Sequence, residues 1–183
     1  MSYYEILLFL HIAAAVVWLG SGFFLQMLIF RAEASDDGGL KSGIASNSGW
    51  MAQRIFIPAS LLVLILGILL TIEGPWSFGD LWIVLGLVGY AMSFLIGILF
   101  LEPEGKRIHK AMEAGDHDAA GFRIRRINAV SRIELTVLYL VVAAMALKPT
   151  GDDTGTLILG AVVVVAALAI WGPKLRPPAV VRA

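Results

Sequence analysis

The chain has 183 residues, 58% of them hydrophobic and 15% charged, and its 14 basic and 14 acidic residues cancel to a net charge of zero. A mean hydropathy of +0.83 would give a water-exposed fold large sticky patches, so a lipid bilayer is the solvent this composition predicts. The absence of cysteine excludes disulfides, covalently attached c-type haem, cysteine-ligated iron–sulfur clusters and a thiol nucleophile.

Five apolar runs follow in chain order, at about Tyr4–Phe30, Ile55–Ile72, Leu81–Leu101, Ile133–Leu147 and Leu157–Trp171. Roughly 20 helical residues, at ~1.5 Å each, cross a hydrocarbon core ~30 Å thick. The first three runs suffice as they stand. The fourth suffices if it starts near Asn128 and tolerates Arg132 and Glu134. The fifth is extended by Gly155 and Thr156 at one end and by a snorkelling Lys174 at the other. The first run is too long for a signal peptide and lacks a basic flank, so it reads as a permanent span. The expected fold is all-α, a polytopic transmembrane bundle of five spans built as a four-helix core plus one. Residues 1–149 would form the four-span bundle with loops 31–54 and 102–132, and residues 150–183 the fifth span and a basic tail.

Charge placement orients these spans. Thirteen of the fourteen Lys and Arg residues lie between spans one and two, between three and four, or after five; only Lys148 lies on the other side. The positive-inside rule then puts the N-terminus outside and the C-terminus in the cytoplasm, in a bacterial plasma membrane. The outer connections, "EGPWSFGD" and "KPTGDDTG", are short, and Trp76 and Phe78 suit an interfacial hairpin. The first inner loop opens with acidic and Gly/Ser residues and reads as a turn leading into a short amphipathic segment. The second, Glu102 to Arg132, reads as helix, turn, helix at the membrane surface, touching anionic lipid headgroups. Its acidic "EAGDHD" breaks the basic surface and no aromatics are interleaved, so nucleic acid is not an expected partner. His109 and His117, with Asp116 and Asp118, are poorly spaced for a metal.

Ionisable groups inside spans are costly, which makes them the first candidates for function. His11 lies about 10 Å into the first span. At 100° per residue it shares a stripe with Ala15, Trp18, Gly22 and Leu25. Small residues beside a tryptophan suit either close helix contact or a cleft for a flat ligand. His11 therefore reads as a hydrogen-bonded seam residue or as a ligand to haem or copper, with Trp18 and Gly22 lining the cofactor. Met27, Met92 and Met145 form no cluster with it, and a second imidazole would have to come from His11 of a second copy in a homodimer. Glu134 lies at a depth where Arg31 or Arg54 could pair with it. Gly89, Ser93 and Gly97 form a small-residue seam for close packing. Span five has no polar side chain in its core and suits lipid or a membrane-protein partner.

The stretches "LLFLHIAAAVVWLGSGFFLQ", "PASLLVLILGILL", "SFGDLWIVLGLVG" and "RIRRINAVSRIELTVLYLVVAAMALKP" resemble the bacterial integral membrane proteins of domain of unknown function 2269, over about Met1 to Pro149. More distantly, the His, Trp, Gly pattern of span one is similar to the copper-resistance protein D membrane domain and to HemJ-type protoporphyrinogen oxidases. The HemJ-type resemblance implies haem held by His11. Those enzymes also use an intramembrane lysine, which these spans lack, so the resemblance implies a cofactor rather than the oxidase. Three functions remain open: a haem- or metal-associated membrane protein using His11, a non-catalytic accessory or scaffold subunit, and a small transporter. No catalytic residue is singled out.

Overall fold

The structure, a computed structural model, describes residues 2–35 and 38–176. Asp36 and Asp37 of the first inner turn, and residues 177–183 with the basic-tail Arg182, lie outside the described residues. Every described element is helical: α1 Tyr3–Ser35, α2 Gly38–Met51, α3 Ile57–Glu73, α4 Leu81–Ile96, α5 Glu102–Glu113, α6 His117–Leu147 and α7 Thr154–Trp171. Among the described residues five helices are long and apolar enough to cross a membrane: Tyr3–Ser35, Asn47–Glu73, Leu81–Glu113, His117–Leu147 and Thr154–Leu175.

Two of these rods are joined by π-turns. Ala52–Phe56 links α2 to α3, and Gly97–Leu101 links α4 to α5. In each, the residue after the turn donates its N–H five residues back, from Ile57 to Ala52 and from Glu102 to Gly97. The cause follows directly, as Pro58 or Pro103. A helical proline lacks an N–H, and its ring presses on the carbonyl four residues earlier. Those carbonyls belong to Arg54 and Leu99, inside the two π-turns. Widening the turn relieves the clash while the helix continues. Helix α5 is therefore not a separate surface helix after a break near Leu101; it prolongs α4.

Helix ends follow ordinary capping chemistry. Ser2 and Glu5 form a reciprocal box, the Glu5 N–H donating to Ser2 Oγ at 3.2 Å and the Ser2 N–H to Glu5 Oε2 at 2.7 Å. Asp116 caps α6 by accepting from the Ala119 N–H at 3.0 Å. Gly115, at φ 72°, makes the tight turn between α5 and α6 with no Cβ penalty.

The chain forms two compact units, residues 1–87 and 88–183. In the first, α1 packs on α3, burying Leu7 and Ala14 from α1 and Ala59, Leu70 and Thr71 from α3. The Thr71 hydroxyl is satisfied by its own helix, donating to the Gly67 carbonyl at 2.9 Å. At the Tyr4 end the Trp76 indole N–H donates to the Tyr4 hydroxyl at 3.2 Å, and Trp76 meets Trp82 edge to face at 5.2 Å. In the second unit α6 packs on α5 and α7 and buries Ala120, Asn128, Ala129, Leu138 and Ala144. Most remaining apolar side chains face outward, as hydrocarbon-solvated helices require.

Candidate functional site

In the first unit, His11 is half-buried on α1, one turn beyond the buried Leu7 and one short of Ala14. Its ring lies against Gly67 of α3: a Cβ at that glycine would sit 3.2 Å from His11 Cε1 and 3.6 Å from Nδ1. The absent side chain is what makes room for the imidazole. Val63, one turn before Gly67, presents its backbone as the ring's polar neighbour. Nδ1 is buried and has no hydrogen-bond partner. Leaving such a group unpaired costs about 1–3 kcal/mol. Trp18 and Gly22 are half-buried further along the same helix. Among the described residues no three His, Cys, Asp or Glu side chains come together as a metal cage. His109 instead meets Glu113 at 3.2 Å on its own exposed helix.

The second unit contains the other intramembrane acid. Glu134 of α6 accepts a hydrogen bond from the Ser93 hydroxyl of α4, and Ser93 is 7% exposed. Within the second unit the partner of Glu134 is a neutral hydroxyl. One turn from Ser93, Gly89 is pressed so closely by Val141 that no Cβ fits there. Two residues of the small-residue seam of span three, Gly89 and Ser93, thus meet α6, Ser93 through its polar contact, whereas a Cβ at the third, Gly97, would meet open space.

Toward the α5–α6 turn, Glu104 is 1% exposed, the largest fully buried side chain among the described residues. Three arginines hold it: Arg107 at 2.7 Å, Arg123 at 3.2 Å and Arg126 at 3.6 Å. Arg126 also lies over the Phe100 and Phe122 rings, at 5.2 and 5.7 Å. This acid fastens the α5–α6 hairpin, a role that the basic look of the segment conceals. Its sequence trace is modest: Glu104 and Arg107 are three apart on α5, and Arg123 and Arg126 are three apart on α6, a spacing that shares one helix face.

Five helices long and apolar enough to cross a bilayer, most of whose apolar side chains face outward, define a multi-pass integral membrane protein. The chain belongs to the family DUF2269, described as predicted integral membrane protein, whose model matches residues 5–149. Helix α7 lies beyond the matched residues. No curated protein and no solved structure matches the chain.

Proposed function

We propose that this membrane protein binds a prosthetic group through His11, and that the group is of the haem type. One observation carries the reading: a titratable ring inside a membrane span keeps a buried Nδ1 with no hydrogen-bond partner, a costly arrangement unless the nitrogen has another use. The donor set selects the class of group. A copper ion held by protein alone needs two or more further N or S donors, and among the described residues His11 belongs to no group of three His, Cys, Asp or Glu side chains. A porphyrin brings four equatorial nitrogens of its own and asks the protein for one axial donor. His11 would be that donor, with Trp18 and Gly22 on the same stripe flanking the flat ring. Such a group supplies one-electron chemistry. The chain's part is to hold and orient it in a site walled by α1 and α3.

The visible spectrum of the detergent-purified protein tests it. A Soret band lost in His11→Ala, with the fold retained by circular dichroism, supports axial ligation. A colourless protein, purified from haem-replete cells and free of iron by elemental analysis, overturns it.

A second reading, an accessory subunit of a membrane complex, is favoured by α7. That helix is apolar on all sides, and Ala167 is its one buried residue, so most of its surface faces lipid or a partner. A stable co-purifying membrane protein, lost on deletion of α7, supports it.

The membrane is taken as a bacterial inner membrane, with the basic hairpin on the cytoplasmic side against anionic headgroups. A cysteine at Asp152 is then labelled from outside and one at Glu113 is not; the reverse pattern overturns the orientation.

A further inference from the structure

We propose that the α5–α6 hairpin carries a binding site for a phosphate monoester dianion, formed by Arg107, Arg123 and Arg126 around the buried Glu104. The three guanidiniums converge on this one carboxylate, at 2.7, 3.2 and 3.6 Å. Three positive charges against one negative leave the cluster at +2. Among the described residues none of the three arginines pairs with a second acid. Like charges held this close repel, and a second anion relieves them.

The arginines all use the same atom for this contact. Each reaches Glu104 through Nη1. The Nε–Nη2 edge of each guanidinium, a fork that matches phosphate bidentately, takes no part in it. At Arg126 the consequence is explicit, because its Nε is buried and has no hydrogen-bond partner among the described residues. Phe100 and Phe122, the rings beside it, carry no lone-pair acceptor.

Exposure decides which charge an incoming ligand meets. The Glu104 side chain is 2% exposed, against 60% for Arg107, 31% for Arg123 and 28% for Arg126. An anion arriving from outside therefore meets guanidinium, and the carboxylate serves to gather the arginines. A carboxylate ligand brings one charge and two oxygens. A phosphate monoester brings close to two charges and three acceptor oxygens, which suits a cluster at +2 with three forks.

The depth admits either of two sources. Counted from Leu81, Glu104 lies about 35 Å along its rod, and Arg126 and Arg123 lie about 32–36 Å from Leu147. These positions fall just past a ~30 Å hydrocarbon core. A headgroup of the phosphatidic acid type and a water-soluble phosphate can both present the group there. The lipid source rests on the reading of this hairpin as facing headgroups; the site itself does not.

Isothermal titration of the full chain in an uncharged detergent tests the assignment, with dioctanoyl phosphatidic acid, dioctanoyl phosphatidylglycerol and inorganic phosphate as probes. Wild type binds phosphatidic acid more tightly than the phosphodiester. Arg107→Gln, an exposed change, lowers that affinity roughly 10-fold, as loss of a charge-assisted hydrogen bond does, and it serves if Arg123→Gln fails to fold. Arg125→Gln removes an equal charge from an exposed position outside the cluster and keeps the affinity. Saturable binding of inorganic phosphate, weakened in Arg107→Gln, supports the site and removes the headgroup reading alone. Binding of phosphatidic acid without inorganic phosphate supports both. Equal affinity for the two lipids, equal losses in Arg107→Gln and Arg125→Gln, or no binding of any probe overturns the proposal.

Discussion

His11 and Gly67 form a ring-on-glycine contact between α1 and α3, close enough that a methyl group at residue 67 would stand 3.2 Å from His11 Cε1. The pair is a coupled unit. Histidine occupies the volume that glycine vacates, and neither residue's environment is defined without the other.

A branched side chain at residue 67 therefore has to displace the imidazole. Gly67→Val is expected to destabilise the protein by about 1–3 kcal/mol, as overpacking does. In a His11→Ala background most of that cost disappears, because the ring is no longer there. Thermal unfolding of the double-mutant cycle in detergent checks this, and strictly additive effects would show that the two residues do not meet.

Gly89 offers a harsher case, since Val141 already fills the place of its Cβ. Gly89→Ala gains helix propensity of about 1 kcal/mol, but overpacking of about 1–3 kcal/mol opposes it. The net loss should be restored by Val141→Ala. If Gly89→Ala melts higher than wild type, the α4–α6 contact is not as close as described.

Glu104→Gln removes the one negative charge shared by Arg107, Arg123 and Arg126. Breaking a buried ion pair costs 3–5 kcal/mol. Arg107 is 60% exposed, which screens part of the loss, so about 3 kcal/mol or somewhat less is expected. Glu102→Gln, whose pair with Lys106 is exposed on both sides, should cost less than about 0.5 kcal/mol. Similar melting shifts in the two variants would remove Glu104 from its central role in the hairpin.

Asp153, ahead of α7, is held below the usual carboxylate range by the Thr150 backbone N–H at 2.7 Å and the Thr150 hydroxyl at 2.9 Å. A depressed folded-state pKa contributes stability that is fully present above the unfolded value and is lost as pH falls through the folded one. A carbon-13 titration of the Asp153 carboxyl should show the low midpoint. Thr150→Val should raise it part of the way, because the backbone donor survives. An unchanged midpoint would assign the whole effect to the backbone.

The five spans were legible because hydrocarbon thickness demands long uninterrupted apolar runs, and their centres coincide with the helices observed. Their ends were less legible. Pro103 and the charges after Leu101 read as the end of span three, whereas a π-turn carries the helix through to Glu113. His11 stood out as a lone titratable residue in a span, but its contact with Gly67 joins residues 56 apart in sequence and leaves no periodic signal. Ser93 was visible as a small packing residue, not as the partner of Glu134. Glu104 was hidden by its basic neighbours, since local composition does not reveal which charge is buried.

The two π-turns have a consequence for how either rod is mapped experimentally. A π-turn holds one residue more than an α-turn, and each residue advances the helix face by about 100°. The side-chain stripe before Ala52–Phe56 therefore does not continue in register after it, and the same holds across Gly97–Leu101. A residue-by-residue accessibility scan along either rod would record a regular wave that slips phase once, at the turn before the proline. Fitting one continuous helical wheel to the whole rod would misplace every residue beyond the turn by about 100°.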